Sequence, residues 1–144
     1  MWRQVELTIV QGKNLGLTRY DESTNDVNGA NTNLEYDGLE VGLSCEIHLN
    51  DILCSRTTVK KGPGSPGWHE HFTFPGLPPF ETLDIIVWQE KKLSKPSVLG
   101  ITRITLANFR RGDAVEGWFP VLNGGAIGTE IQVGKLHLKI CVDE

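Results

Sequence analysis

The chain has 144 residues, a length typical of one domain with its own hydrophobic core, and 39% of its residues are hydrophobic. Its 14 basic and 18 acidic side chains give a formal net charge of −4, which argues against nucleic acid as a partner because nucleic-acid binding requires a basic face. No run approaches the roughly 18 apolar residues of a membrane span, and the first residues lack the apolar region of a signal peptide. These features, with an odd number of cysteines, predict a single domain over 1–144 in a reducing, cytoplasmic setting.

Short runs rich in β-branched and aromatic residues recur along the chain and predict strands. The first run, 2–11, alternates apolar and polar residues, which is typical of a strand with one buried face. The predicted strands are 2–11, 43–50, 53–60, 68–74, 83–89, 97–105, 117–122 and 135–142. Asp51-Ile52 joins the second and third strands and predicts a hairpin. A helical turn is predicted over 106–112, before a glycine. Eight short strands predict an all-β sandwich.

Two long segments between these strands carry no periodic pattern. The larger one, 17–42, combines six acidic residues with one arginine among many Asn, Thr and Gly residues. This composition predicts a mobile acidic loop inserted in the domain. The second segment, 123–134, contains several glycines and predicts a flexible linker.

The residues capable of chemistry do not combine into a catalytic set. Gly62-Pro63-Gly64-Ser65-Pro66-Gly67 fits the G-x-G-x-x-G pattern, but a strand follows it and its prolines lack the N–H donors that cradle a phosphate. We interpret it as a tight loop between strands. His69 and His71 share a face of a predicted strand without a third ligand, which favours a solvated face over a metal site. The cysteines are interpreted as small buried side chains: Cys45, Cys54 and Cys141. The sequence therefore predicts no enzyme.

The acidic loop partly fits a calcium-loop template. Thr24, Asp26, Asn28, Gly29 and Glu35 fall at positions one, three, five, six and twelve of that template. The first aspartate of the template is absent, and no helices flank the loop. We therefore predict no metal site and no cofactor. The weak candidates for cation capture are Asp21, Asp26, Glu35 and Asp37.

Positive charge is concentrated in three short clusters. They are Lys60-Lys61, then Lys91-Lys92 with Lys95, and Arg110-Arg111. The middle cluster lies in the turn between two predicted strands. Turn lysines are usually only solvated. The functional alternative is contact with an anionic surface, because each lysine near an anionic membrane contributes about 1 kcal/mol.

The segment Trp68-His69-Glu70-His71-Phe72-Thr73-Phe74 resembles the W-x-E-x-F-x-F signature of C2 domains. The opening run from Val5 to Leu15 resembles the first strand and turn of that family. Leu83 to Trp88, Trp118 to Leu122 and the closing Gly134-Lys135-Leu136-His137-Leu138 resemble later strands. The likeness spans the chain, and it implies an eight-stranded antiparallel Greek-key β-sandwich.

A narrower likeness covers about 43–122. The run from Cys45 to Thr58, which ends in Arg56-Thr57-Thr58, resembles the C-E-L-x-L-D-D-x-L-x-A-R-T-T pattern in the C2 domains of synaptic-type Ras GTPase-activating proteins. Leu77-Pro78 and the late Trp118-Phe119-Pro120-Val121 fit the same group. The long acidic first loop departs from it.

The resemblance also bears on calcium. Calcium-binding members collect aspartates from their first and third loops, since Ca²⁺ requires several converging carboxylate oxygens. This chain has Gly42-Leu43-Ser44-Cys45 where the family often has Ser-Asp-Pro-Tyr. Its third loop reads Gln89-Glu90-Lys91-Lys92-Leu93-Ser94-Lys95 in place of Asp-x-Asp. The resemblance therefore implies a calcium-independent member.

The leading hypothesis is a non-catalytic C2 module that targets a Ras GTPase-activating protein to anionic phospholipid, peripherally at a membrane, or to its Ras-family small GTPase. The expected contact residues are Lys91, Lys92, Lys95, Lys60, Lys61 and Arg56. One alternative is a protein–protein interaction module that does not bind lipid. Another is a weakly calcium-dependent phospholipid-binding domain that uses the acidic loop.

Overall fold

The computed structural model describes residues 3–16, 41–62, 64–76, 80–110, 112–124 and 128–143. Within these ranges the chain forms nine strands: β1 (Arg3–Lys13), β2 (Val41–Leu49), β3 (Ile52–Arg56), β4 (Lys60–Lys61), β5 (Gly67–Gly76), β6 (Thr82–Lys91), β7 (Ser97–Thr105), β8 (Ala114–Asn123) and β9 (Ile131–Asp143). A 3-10 helix, Leu106–Asn108, occupies the first part of the helical turn predicted over 106–112. The calcium candidates Asp21, Asp26, Glu35 and Asp37 lie outside the described residues.

The strands form one curled antiparallel sheet in the order β3-β2-β6-β7-β8-β9-β1-β5, with β4 also paired to β2. Its two halves form the layers of the sandwich: we call β3, β4, β2, β6 and β7 the first sheet, and β8, β9, β1 and β5 the second sheet. Along one side, β7 and β8 join the two sheets through the registered pair Ile101 and Leu122. Two side chains add to this connection: Thr102 donates to the Pro120 carbonyl oxygen at 2.8 Å, and Asn123 donates to the Leu99 carbonyl oxygen at 2.7 Å. The predicted antiparallel Greek-key sandwich is therefore confirmed.

The core lies between the sheets, because alternate side chains of each strand point inward. In β2 the alternating buried positions from Leu43 onward are Leu43, Cys45, Ile47 and Leu49, separated by half-buried polar residues. The second sheet repeats this alternation in β1 and β9. The alternating buried residues of these two strands include Val5, Leu7, Ile9, Leu136, Leu138, Ile140 and Val142. The alternation read from the sequence thus identifies the buried face of both sheets.

The strand predicted over 53–60 is broken in the middle. Thr57 donates its N–H to the Cys45 carbonyl oxygen (2.8 Å), while its Oγ1 accepts the Cys45 N–H (2.9 Å). A side-chain hydroxyl thus takes the place of the backbone carbonyl that would continue the ladder. As a result β3 ends at Arg56 and β4 holds two residues. Taken together, β3 and β4 correspond to one of the eight predicted strands.

Trp68, Thr58 and Glu70 form a hydrogen-bonded bridge between the sheets on the side opposite the Ile101–Leu122 pair. Trp68, which is 4% exposed, donates Nε1–H to the Thr58 carbonyl oxygen at 3.0 Å. Glu70 Oε2 accepts both the Thr58 N–H (3.0 Å) and the Thr58 hydroxyl (2.6 Å). Hydrogen bonds to a carboxylate are about twice as strong as neutral ones. The tryptophan and glutamate of the W-x-E motif therefore fasten the segment after β3 to β5.

The hairpin between β2 and β3 forms as predicted, with its turn one residue earlier than expected. Leu49 is registered against Ile52, so the turn residues are Asn50 and Asp51. Both have positive φ values, 51° and 66°. Two positive values are the signature of the type I′ turn that matches strand twist. The Asn50 side chain also accepts the N–H groups of Glu81 and Thr82, at 2.7 and 3.2 Å.

β5 is bulged at His69, although its alternation of exposed with buried or half-buried residues continues through the bulge. The φ of His69 is +52°, and the register with β1 shifts between Ile9 and Gln11. A bulge of this kind adds a residue on one strand and turns the local side chains. The strand predicted through His69 and His71 is present, and both histidines are exposed as expected, with a bulge at His69 that the sequence did not predict.

The linker predicted over 123–134 is shortened at both ends by strands. β8 continues to Asn123, and β9 begins at Ile131, with Leu122 registered against Gln132. Gly134, at φ +138°, packs against the turn after β1: an added Cβ there would lie 2.9 Å from the Asn14 oxygen. The glycine is required by this close approach and does not make the segment flexible.

Candidate functional site

Several loops meet at one end of the sandwich. Leu15, after β1, donates its N–H to the Gly64 carbonyl oxygen at 2.8 Å. Gly62 donates to the Val41 carbonyl oxygen at 3.1 Å, which ties the same loop to the start of β2. An added Cβ on Gly64 would lie 2.6 Å from the Leu15 oxygen. The glycine-rich segment is therefore a packed loop between strands, as predicted.

Five lysines lie at this end, on the first sheet. Gly42 is registered against Lys61 on one side and Glu90 on the other, and Val41 is registered against Lys91. Since adjacent strands are about 4.8 Å apart, β4 and β6 are about 10 Å apart across β2. The structure thus brings together two clusters that are about 30 residues apart in sequence. We call this group, Lys60, Lys61, Lys91, Lys92 and Lys95, the lysine end.

The lysine loop, residues 91–97, connects β6 to β7. Every residue in it is exposed. Within the described part of the chain, no carboxylate forms an ion pair with Lys91, Lys92 or Lys95. These three charges are therefore available to an external partner.

Leu93, at the tip of this loop, was not predicted from the sequence. It is 99% exposed and has a φ of +68°. The Ser94 N–H donates to the Lys91 carbonyl oxygen at 3.1 Å, so Leu93 is the third residue of a β-turn. That position with positive φ favours glycine or asparagine, and a leucine there is strained. The sequence feature that could have indicated an exposed leucine is an apolar residue placed between lysines in a predicted turn.

Arg56 differs from the lysines. Its guanidinium lies 3.7 Å from Glu46 Oε2, and the two residues are registered opposite each other on β3 and β2. Its positive charge is therefore partly compensated by the carboxylate. The third basic cluster is at the other end of the sandwich, where the Arg110 N–H donates to Asp113 Oδ2 at 2.7 Å. Arg111 lies outside the described residues.

Asp84 also lies away from the lysine end, on β6 near the β2–β3 hairpin. Burial raises the pKa of its carboxyl above the usual range, and the neighbouring Asp51 raises it further. Arg103 and His48 act in the opposite direction. A carboxyl with a raised pKa disfavours folding while it is ionised, and this penalty disappears as the pH falls through the folded pKa.

The residues directly before the lysine loop do not form a metal site. Glu90 is an exposed carboxylate. Gln89 is half-buried and donates Nε2–H to Ser97 Oγ at 3.4 Å. Among the residues that the structure describes, no group of three or more His, Cys, Asp or Glu side chains is placed to hold a metal ion.

The outer face of the second sheet carries a shallow groove of about 470 Å³. His71 Nδ1 lies 2.8 Å from Thr8 Oγ1, and its Nε2 lies 3.2 Å from Glu6 Oε1. Glu116, on the far side, is 2.9 Å from His137 Nε2. Each of these two histidines is therefore within hydrogen-bond distance of a glutamate carboxylate.

The cysteines differ in accessibility, and this difference can be tested. Cys45 is buried, and burial, followed by the nearby Glu70 charge, raises the pKa of its thiol far above the usual range. Cys54 is exposed, contrary to the prediction of a buried side chain. We expect iodoacetamide to label Cys54 at least about 100-fold faster than Cys45 in the folded domain, because the reactive species is an accessible thiolate.

Peptide mapping by mass spectrometry over a time course measures both rates. Cys54→Ala should remove the fast label, and denaturant should make Cys45 reactive. Labelling of Cys45 at the rate of Cys54 in native buffer would contradict the packing of β2.

Comparison with known sequences gives one family and several relatives. The family model that matches is described as "C2 domain" and covers residues 3–121. Disabled homolog 2-interacting protein of Mus musculus is 37% identical over 82 residues, 54% of this chain and 7% of that protein. Ras GTPase-activating protein nGAP of Homo sapiens is 35% identical over 81 residues, which are 54% of this chain and 7% of that protein. Ras GTPase-activating protein raskol of Drosophila melanogaster is 31% identical over 86 residues, which are 57% of this chain and 5% of that protein. The chain spans less than a tenth of the length of these relatives.

Solved structures share the fold. A C2 domain of plant Extended Synaptotagmin 1 has a TM-score of 0.63 and 18% identity, covering 97% of this chain and 93% of that one. Human GIVD cytosolic phospholipase A2 has a TM-score of 0.61 and 10% identity, and the match covers 100% of this chain and 17% of that one. At these identities the likeness concerns the fold alone. Within the described ranges, no helix has the length and hydropathy needed to cross a bilayer.

Proposed function

Because this chain belongs to the C2 domain family, we propose that it binds anionic phospholipid membranes through its lysine end. It acts as a non-catalytic module, and its contact with lipid does not require calcium. The observation that carries this proposal is Leu93, a fully exposed leucine held in a strained turn among lysines. Strained, exposed side chains that the fold does not stabilise favour an external role.

The energetics of the lysine loop support this proposal. Lys91, Lys92 and Lys95 each contribute about 1 kcal/mol near an anionic surface. Leu93 contributes about 1.5–3 kcal/mol when its side chain leaves water for an apolar environment. A charged ring around one apolar tip thus combines attraction to headgroups with shallow insertion. Lys60 and Lys61, about 10 Å away across β2, extend the positive surface.

The charge of the lysine loop also supports calcium independence. A calcium site requires several carboxylate oxygens, whereas the lysine loop has three lysines and no acidic residue, and Glu90 is the single carboxylate directly before it. Three positive charges next to such a site would repel a divalent cation. The domain therefore contacts lipid through its own cations.

The relatives support a wider context. Two of them are named Ras GTPase-activating proteins. We infer that this domain is part of such a protein, held peripherally at a membrane. There it positions a separate catalytic domain near a Ras-family small GTPase.

Vesicle sedimentation tests the proposal. We expect the domain to bind vesicles of phosphatidylcholine with phosphatidylserine, to the same extent in calcium and in chelator, and not to bind vesicles of phosphatidylcholine alone. Leu93→Asn should weaken binding about 10-fold, since it removes the apolar tip. Asparagine tolerates positive φ, so the turn is retained.

Val115→Asn is the matched control. Val115 is also exposed, at 40%, but lies on β8 in the second sheet. This change should leave vesicle binding unaltered. Absence of binding to anionic vesicles with and without calcium would overturn the membrane proposal and favour a protein partner. Binding that requires calcium would refute the calcium-independent mechanism.

A further inference from the structure

We propose that Ser94 is a phosphorylation site for a Ser/Thr kinase that recognises basic substrates, and that its phosphorylation releases the domain from membranes. The release rests on the proposed function, whereas the modification itself does not. Ser94 lies in the lysine loop directly after Leu93, and its side chain is exposed.

The sequence around Ser94 carries the charges that such a kinase reads. Lys91 and Lys92 lie three and two positions before it. Of all the serines and threonines in the sequence, Ser94 alone has basic residues at both positions. Kinases distinguish substrates by such charge patterns, because acidic groups in their substrate groove pair with the basic side chains.

The structure makes this segment accessible. Lys91 and Lys92 form no ion pair with any carboxylate in the described part of the chain, so both can enter an acidic groove. The turn is closed by one backbone hydrogen bond, from Ser94 N–H to the Lys91 oxygen at 3.1 Å.

Opening this turn costs little. The φ of +68° at Leu93 is unfavourable for a leucine, and extension of the chain relieves that strain. The segment can therefore adopt the extended form that fits a kinase groove, and on the β6 side this affects only Lys91, the last residue of that strand.

The modification is an ordinary phosphoryl transfer. Ser94 Oγ attacks the γ-phosphorus of ATP held with Mg²⁺ in the kinase. A new P–O bond to serine forms as the bond to the β–γ bridging oxygen breaks. ADP leaves, and the hydroxyl proton passes to the kinase base.

The added charge acts where membrane contact is proposed. A phosphoserine carries about −1.5 to −2 at neutral pH, which offsets at least half of the charge of Lys91, Lys92 and Lys95. Each of these charges contributes to attraction at an anionic surface. Phosphorylation should therefore weaken vesicle binding about 10- to 30-fold.

The modification is tested first. The purified domain is incubated with MgATP and the catalytic subunit of cyclic-AMP-dependent protein kinase, a basophilic enzyme, and phosphate is mapped by tandem mass spectrometry. We expect one major site at Ser94, lost in Ser94→Ala and reduced at least about 10-fold in Lys91→Ala/Lys92→Ala because the charge pairing is removed. Ser97→Ala, in the same loop but without those lysines at the matching spacing, should be phosphorylated normally. A major site elsewhere, or none, would overturn the assignment.

The release is tested with the phosphorylated domain and phosphatidylserine-containing vesicles. Weaker binding of the phosphorylated form, restored by phosphatase, supports the switch. Equal binding of both forms overturns the switch and leaves the membrane proposal standing. If the unmodified domain does not bind, the membrane proposal and the switch both fail, while the mapping still decides whether Ser94 is a kinase site.

Discussion

Replacing Lys91, Lys92 and Lys95 together by glutamine is expected to weaken binding to anionic vesicles by about 100-fold, the largest effect on binding that we expect. Each lysine contributes about 1 kcal/mol near an anionic surface, and about 1.4 kcal/mol corresponds to a tenfold change in affinity. Three lost charges therefore remove about 3 kcal/mol. The stability of the fold should not change, because these side chains are exposed and, within the described residues, unpaired.

The matched control removes the same number of positive charges elsewhere: Arg103, Arg110 and Lys139 are replaced by glutamine. These residues lie on β7, after the 3-10 helix and on β9. Binding by this control should fall by less than about threefold, because its charges lie away from the lysine end and are screened over about 8–10 Å. If both triple variants lose affinity equally, overall net charge and not the lysine loop governs binding.

This pair of variants also separates the two classes of partner. A loss of vesicle binding by the lysine-loop variant favours the membrane. A loss of binding to a small GTPase or to an acidic protein surface, with vesicle binding unaffected, favours the protein-interaction alternative. Raising the salt concentration weakens both interactions, so salt alone cannot distinguish them.

Gly134→Ala is expected to lower the free energy of unfolding by about 3–5 kcal/mol, because it combines overpacking with a strained backbone. An added Cβ would lie 2.7 Å from Leu15 Cδ2 and 2.9 Å from both Leu15 Cα and the Asn14 oxygen. Part of this environment is backbone, so it cannot move aside without breaking the contact between the first turn and β9. The φ of +138° adds strain for any residue with a Cβ.

Urea denaturation followed by tryptophan fluorescence measures this change through a lower midpoint at unchanged slope. Gly117→Ala is the matched control, since Gly117 also lies in a strand of the second sheet but an added Cβ there meets nothing within 4 Å. It should be neutral or slightly stabilising. A Gly134→Ala protein within about 0.5 kcal/mol of the wild type would contradict the close approach of Leu15.

The fold could be predicted from the sequence because its signal is local. The alternation in β2 and β9 identifies buried faces, and the W-x-E-x-F-x-F and G-x-L-x-L motifs indicated a C2 sandwich, which is confirmed together with the likeness to Ras GTPase-activating proteins. The strand predicted over 53–60 fails where a side chain replaces a regular backbone contact. The Thr57 hydroxyl interrupts that strand, and a hydrogen bond of this kind leaves no periodic signature in the sequence.

The candidate site was only partly predictable. Charge identified the lysines of 60–61 and of the 91–95 turn, but strand register was needed to place both groups at one end of the first sheet. Leu93 was missed because an isolated apolar residue is far more often buried than exposed. Arg56 was grouped with the lysines on charge, whereas its contact with Glu46 depends on the β2–β3 register.

The pairing of β1 with β9 places Gln4 and Asp143 at the end of the domain that is farthest from the lysine loop. Gln4 is registered against Asp143, so these two ends of the described chain lie side by side, one strand spacing apart. The lysine loop lies at the opposite end, beyond the 10 residues of β6, which span about 33 Å at about 3.3 Å per residue. In the proposed membrane-bound state, Gln4 and Asp143 therefore stand about 30 Å from the surface that Leu93 contacts. Tilting the domain would move them sideways over the membrane and change their height above it.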